Sequence, residues 1–567
     1  MQVTPPPPPP ELVTPSPSPS PSVSPTAPVS PSPAASASPT PVPLAVSGLP
    51  VNLHPGESKT LTIQNGTGPF TTSIDTPLVT ATVDQNARTI TVTASQQTGR
   101  ATITLNDSTG AAVQIPVRVA LDAGTVPASI TLRVTGTQID TQWLTLQIQK
   151  LLLRSVQLQP GAALQVNAFT LPPALGPGAT AAVPVSVHLA GGDRYFDVDV
   201  VPTVNLQNVQ ADAFAPPLLF YDDDPEKLTG TGVLFRGQVE ANTPARLYYY
   251  HENTGGARML AVVLSSTSAQ PSTVQIIDSS AGPNIDVMTV GHVVSRNFLL
   301  QKPLNQGLVV DVDAQTPYVA DQFSMNALDG AAGSVGIRVL DGAPVTVTVV
   351  AMPAGTPSAQ IGSYLSQPQL PDDGHHRTGM FSLQNYANEP LAFTAPGPDA
   401  SLQYGAHTPP VVDPPNQPAP AGHDYGEYGV LRTLNVDIDN PLDQPQTLYL
   451  YERPLGGPVR SSFLVNGSLV QVGCARASDR YQIGDPISVG PHAKMQLPVW
   501  TMTDGGSNYP LEVGVTATPP SPTPPPITAP NGCFPKPAAP PTTPAPGASP
   551  APGVTAAPGV PQPEPTG

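Results

Sequence analysis

Between Leu44 and Ala120 the chain alternates apolar and polar residues at period two. Thr60-Leu61-Thr62-Ile63, Val79-Thr80-Ala81-Thr82-Val83, Thr89-Ile90-Thr91-Val92-Thr93, Ala101-Thr102-Ile103-Thr104-Leu105 and Val113-Gln114-Ile115-Pro116-Val117 each read as a strand with one apolar face. Turn formers punctuate them at Pro55-Gly56-Glu57-Ser58, Asn65-Gly66, Asp84-Gln85-Asn86 and Asp107-Ser108-Thr109-Gly110. Short strands at this spacing predict a β-sandwich over residues 44–120. The period then changes. Asp140 is a good helix N-cap, and Leu144, Ile148, Leu151 and Leu152 form a stripe that ends at Pro160-Gly161. Strand-like stretches around 130–134, 164–168, 183–189 and 196–204 flank this helix, so 125–206 is expected to be a small α+β domain.

Residues 216–516 return to strands, with two further sandwiches expected over 216–355 and 370–516. Met259-Leu260-Ala261-Val262-Val263-Leu264 followed by Gln270-Pro271-Ser272-Thr273-Val274-Gln275-Ile276 can be laid over Thr433-Leu434-Asn435-Val436-Asp437-Ile438 followed by Gln444-Pro445-Gln446-Thr447-Leu448-Tyr449-Leu450. A shared hairpin of this kind suggests related modules. The segment 396–422, with its Pro409-Pro410 and Pro414-Pro415 pairs, reads as a long loop. Much of the excess of 78 prolines lies at the two ends. Residues 1–43 and 518–567 are too poor in large apolar side chains to offset chain entropy, and are expected to be disordered tethers. The fold class expected is therefore mainly β: tandem Ig-like or fibronectin-like sandwiches, one small α+β unit and Pro-rich termini.

The order Pro55-Gly56-Glu57-Ser58, Gly66-Thr67-Gly68-Pro69-Phe70, then Gly99-Arg100-Ala101-Thr102-Ile103-Thr104-Leu105-Asn106-Asp107, Gly110 and a closing Val/Ile strand resembles the bacterial Ig-like domains of cell-surface and pilus-associated proteins. The resemblance covers 44–120 only. It implies a sandwich that acts as a spacer or adhesive unit, and names no ligand.

Charge narrows the partners. The formal net charge is -17, which disfavours approach to phosphates, so nucleic acid is excluded as a partner class. No apolar run approaches the length of a transmembrane helix. Met1-Gln2-Val3-Thr4 leads straight into Pro5–Pro10 with no apolar h-region, so no signal peptide is visible, and the sequence is read as a mature or trimmed form of an exported protein. The localisation expected is extracytoplasmic. The two cysteines, Cys474 and Cys533, are then a candidate disulfide, Cys533 standing beside Phe534 in an otherwise Pro-rich tail.

Chemistry is sparse. A nucleophile elbow needs Gly-x-Ser-x-Gly, but Gly333-Ser334-Val335-Gly336 is preceded by Ala332 and runs into a strand. Asp222-Asp223-Asp224-Pro225-Glu226 and Asp437, Asp439 and Asn440 carry oxygen ligands without a calcium-loop pattern, and alternation gives Asp437 and Asp439 a solvated face. Asp372, Asp373, His375 and His376 are too closely spaced for one tetrahedral zinc. Catalytic, metal and cofactor residues are accordingly expected to be none. Trp143 and Trp500 read as core. In the run Tyr248-Tyr249-Tyr250-His251, alternation sends Tyr248 and Tyr250 to one face, a candidate ligand surface, and Tyr249 to the other. The expected function is a non-enzymatic exported bacterial protein, structural or adhesive, with a cell-envelope or surface protein or polysaccharide as partner. The alternative is a carbohydrate- or polymer-binding accessory protein.

Overall fold

The computed structural model describes residues 42–375, 377–382, 389–405, 426–524 and 533. The tether 1–41, most of the loop 396–422 and most of the tail beyond 524 lie outside the described residues. The chain divides into two compact units, Met1–Leu121 and Asp122–Gly567.

In the first unit the predicted alternation becomes two four-stranded sheets. One is ordered Ala45–Val46, Ser58–Gln64, Thr89–Ala94, Val79–Asp84; the other Val51–Leu53, Ala112–Val119, Gly99–Asn106, Thr71–Ile74. Leu61, Ile90 and Val92 of the first sheet share one apolar core with Leu53, Ile103 and Ile115 of the second. Outward positions carry hydroxyls that pair across strands, Ser58 with Thr93 at 2.8 Å and Thr60 with Thr91 at 2.9 Å. This is the cross-strand pairing that lets a Thr-rich face remain solvated.

The second unit is built on an 11-stranded sheet. Its main path runs Thr180–Pro184, Thr203–Asn208, Ser129–Thr135, Gly307–Val312, Ser272–Asp278, Gly330–Asp341, Ala245–Asn253, Leu218–Asp222, Thr378–Ser382. The strands expected to form a separate α+β domain thus continue into the next sandwich, Arg133 pairing with Val309 and Thr135 with Gly307. Strand periodicity marks strands and faces but does not say whose edge a strand will join. Helix α1, Thr141–Ser155, starts where expected: Asp140 accepts a 2.6 Å hydrogen bond from the Trp143 N–H, and Leu144, Ile148 and Leu152 are buried. Trp143 and Trp500 are each half-buried.

Over the other part of this sheet lies a four-stranded sheet, Gly232–Val239, Val345–Pro353, Arg258–Ser265, Tyr318–Met325. Leu247, Tyr249 and Val335 meet Phe235, Leu260 and Val347 in the core between them. Strands Glu389–Thr394 and Ala400–Tyr404, with those from Leu431–Asn440 to Leu511–Thr516, form a further pair of five-stranded sheets around Leu434, Val436, Phe463, Leu450 and Val513. The duplicated motif is not a hairpin. Arg258–Ser265 and Ser272–Asp278 sit in different sheets, and so do Leu431–Asn440 and Gln446–Pro454. The resemblance between the two stretches is a shared crossing from one sheet to the other.

A second long helix, α2, Val287–Leu304, was not expected from the sequence, which offered α1 alone. Its Val-rich run, Gly291 and Pro303 weaken the helical signal. It is buried on several sides, through Val290, Gly291, His292, Val294, Phe298 and Leu299, so no single apolar stripe betrays it. Asp286 caps its start, accepting from the Thr289 N–H and hydroxyl, and Asn305 ends it in the left-handed conformation. Among the described residues no helix is long and apolar enough to cross a membrane.

Candidate functional site

Strand Ala245–Asn253 lies between Gly330–Asp341 and Leu218–Asp222, and alternation divides its tyrosines as expected. Tyr249 enters the sandwich core, its hydroxyl donating to Asp321 at 2.9 Å. Tyr248 and Tyr250 point the other way but are only 1% and 2% exposed. They are therefore not an open ligand surface. That face of the sheet is covered by α2 and by residues of the last sandwich, and the covering helix was the element the sequence concealed. Tyr248 stacks on Tyr221 with ring centroids 5.6 Å apart, Tyr250 lies 5.8 Å from Tyr428, and Val290, Phe298, Val430 and Met502 complete an apolar cluster.

This seam joins the two sandwiches through glycine-permitted close approach. A Cβ on Gly429 would fall 2.1 Å from the Tyr248 ring, and one on Gly291 of α2 would fall 2.0 Å from the Gly505 carbonyl oxygen. Polar residues spaced by three along α2 then face the last sandwich. Asp286 lies 3.2 Å from Arg460, which also bonds Thr289; His292 meets Asp504 at 2.8 Å through Nδ1 and Gln471 at 3.1 Å through Nε2. Burial pushes the Asp504 carboxyl up, and the His292 hydrogen bond draws it back. Arg246 is buried at the same seam, donating to the Gly429 carbonyl at 2.6 Å and to the Ser334 hydroxyl at 3.1 Å. Its guanidinium carbon sits 5.1 Å from the centroid of Phe298, and burial lowers its pKa to about 10. Ser334 is thus a fully buried strand residue that accepts from a structural arginine, and no strand-to-helix elbow presents it.

The structure brings together two acidic stretches that the sequence left apart. One oxygen from each of Asp224, Asp372 and Asp373 lies within 4.8 Å of the others. Asp224 accepts the Asp373 N–H at 2.8 Å, and burial, with the two neighbouring carboxyls, pushes its pKa up to about 7. Three carboxylates are the part of a hard-cation site that these residues could supply, against the six to eight oxygens calcium takes, and backbone N–H groups already occupy several of their lone pairs. Asp222 is engaged elsewhere, fully buried 3.2 Å from His251. Asp437 bonds Gln496 at 3.0 Å and Asp439 pairs with Lys494 at 3.0 Å on the solvent side of their strand, while buried Asn440 donates to three carbonyls and fixes the following turn.

At the far edge of the last sandwich, Cys474 in strand Ser468–Ala475 is joined by a disulfide to Cys533, with Cα atoms 5.5 Å apart. Residues 518–524, assigned above to the tail, run along this edge. Ser521 exchanges backbone hydrogen bonds with Arg480 and Gln482, and the Pro524 carbonyl accepts from the Gly473 N–H at 3.0 Å, one residue before the cysteine.

No protein-family model and no curated protein matches the chain. Among solved structures it is similar to the adhesin FdeC of Escherichia coli at 13% identity and TM-score 0.13, over 51% of this chain and 99% of that one. It is similar to extracellular cadherin domains 1–4 of protocadherin gamma B7 at 10% identity and TM-score 0.12, over 50% and 76%. A likeness to tripeptidyl peptidase 2, at 9% identity and TM-score 0.13, covers 84% of this chain, which spans about a third, 34%, of the peptidase. Likenesses at these TM-scores carry no argument about activity or ligand.

Proposed function

We propose that this is a non-enzymatic, exported, structural or adhesive protein of a bacterial cell surface or periplasm, and that residues 44–120 are a bacterial Ig-like module. The observation that carries the reading is the seam. The most distinctive aromatic and charged side chains of the second unit are spent on fixing one sandwich to the next, through Tyr248, Tyr250, Arg246 and the contacts of His292 and Arg460. Multidomain proteins that must move keep smaller and more polar interfaces between their domains. A stiff tandem of sandwiches suits transmission of load or projection of a surface, and the Cys474–Cys533 link suits an oxidising compartment.

The test is localisation. Antibody labelling of intact cells and of osmotically released periplasm, together with thiol alkylation of the recovered protein, should place the chain outside the cytoplasm with both cysteines blocked. Exclusive recovery from the cytoplasm with two free thiols would end the proposal.

A further inference from the structure

Away from the seam, α1 and the sheet it covers leave a groove of about 320 Å³. This is the lower end of the size range of small-ligand sites. Its floor is apolar, formed by Leu132, Leu151, Leu308, Val310 and the ring of Tyr318. Its rim is cationic. Lys150 and Arg154 stand one turn apart on α1, so both project over the same side, and Arg133 reaches in from the neighbouring strand.

The three cations are not equivalent. Arg133 is paired with Asp311 at 2.7 Å, and Asp311 also accepts from the Thr273 hydroxyl at 3.1 Å. Lys150 and Arg154 have no carboxylate within 4.0 Å among the described residues. Arg154 is instead held in place by Tyr318, whose hydroxyl it donates to at 3.0 Å, with its guanidinium carbon 5.5 Å from that ring's centroid. Behind the groove, Asp278 and Asp321 share the Ser280 hydroxyl, and burial raises both carboxyls, Asp321 to about 8. Neither carboxyl lies within 4.0 Å of the Lys150 ammonium, though both feel its charge, which draws them back down against burial. On a chain of net charge -17, the groove is therefore a local concentration of positive charge above an apolar floor, with Lys150 and Arg154 free of any directly paired carboxylate among the described residues.

We propose that this groove binds an acidic saccharide, its carboxylate held by Lys150 and Arg154 and the apolar face of its ring laid on Leu308, Val310 and Tyr318. An arginine oriented by its own aromatic neighbour is prepared for a carboxylate. A sugar ring supplies the combination the site asks for, one charged group on a flat body with an apolar face. This goes beyond the structural reading above and does not depend on it, since no residue of the groove contributes to the seam.

The experiment is calorimetric titration of the full chain at low salt with trigalacturonate, the neutral galactotriose and inorganic phosphate. Trigalacturonate should bind, more weakly as salt is raised, while galactotriose and phosphate bind at least about tenfold less tightly, a difference of about 1.4 kcal/mol. The double variant Lys150→Gln with Arg154→Gln should lose at least about tenfold in affinity. Lys494→Gln, which removes an exposed cation elsewhere, should lose nothing, and Lys150→Arg should retain binding. Both replaced side chains are exposed, and matched thermal midpoints establish that the variants are folded. Failure of trigalacturonate to bind, equal binding of phosphate, or unchanged affinity in the folded double variant overturns the assignment.

Discussion

The Tyr248 ring packs so closely on Gly429 that a Cβ at position 429 would lie 2.1 Å from it, one of the close approaches that tie the second sandwich to the last. Gly429 also has a positive φ of 69°, so any side chain there meets both backbone strain and the ring. Tyr248→Ala would empty a fully enclosed site between two sheets and α2. By analogy with other buried aromatics it should cost about 3–5 kcal/mol. Gly429→Ala should destabilise in the same direction. Urea denaturation of the second unit is the measurement, and each variant should separate an early transition of the last sandwich from that of the rest. An unchanged midpoint in Tyr248→Ala would show that the seam does not hold these parts together.

Stability of the second unit should fall as pH rises through the neutral range. Burial, with the neighbouring Asp278 charge, pushes Asp321 up to about 8, and burial pushes Glu452 up to about 8 as well. A carboxyl whose pKa is raised on folding favours the folded state fully below its unfolded value near 4, and that contribution is lost as pH climbs through the folded value. The thermal midpoint should therefore decline from about pH 5 to about pH 9, and Asp321→Asn should flatten part of the decline while keeping an acceptor for Tyr249. A midpoint that rises over this interval would contradict the assignment of these buried acids.

Much of the architecture was legible because alternation is a direct consequence of strand geometry. The strands of residues 44–120 and the opposite facing of Tyr249 and Tyr248 follow from it, and the start of α1 was legible separately, from the capping chemistry of Asp140. Two things were not legible. Helix α2 carries β-branched residues and is enclosed on several sides, which removes both the propensity and the periodic signal. The partners of strand edges and of the Tyr248 face lie far away in the chain, at Gly307–Val312 and at Gly429, and no local pattern encodes such a meeting. The groove was hidden for the same reason. Lys150 and Arg154 look like ordinary solvated helix residues until Tyr318 and Val310 are brought beneath them.

Calcium should have little effect on stability. Asp224, Asp372 and Asp373 converge, but three carboxylates whose lone pairs partly serve backbone N–H groups fall short of the coordination calcium takes. A committed site would add ~2.7 kcal/mol at a hundredfold excess over its dissociation constant, which a thermal scan resolves easily. Midpoints in calcium and in chelator should coincide. A calcium-dependent gain that disappears in Asp224→Asn would establish a site at this cluster.

The final prediction concerns the edge where the tail leaves the last sandwich. Residues 518–524 run beside Arg480–Gln482, and the Pro524 carbonyl is bonded to Gly473, so the chain has already been turned toward Cys474 before Cys533 is reached. A cross-link spanning 59 residues would contribute on the order of 4 kcal/mol in the chain-entropy picture. The strands between the two cysteines are tied down by their own sheets, so the gain to the sandwich as a whole should be smaller. The larger effect should be local. Reduction should expose the amides of Ser521, Gln482 and Gly473, which are hydrogen-bonded across this edge, to exchange while leaving the core strands Leu431–Asn440 and Ala493–Met502 protected. Non-reducing peptide mapping of protein recovered from its native compartment should return Cys474 and Cys533 on one cross-linked peptide pair. Free thiols at both positions there, or exchange of the Ser521, Gln482 and Gly473 amides that reduction does not change, would remove the disulfide from any role in holding this edge.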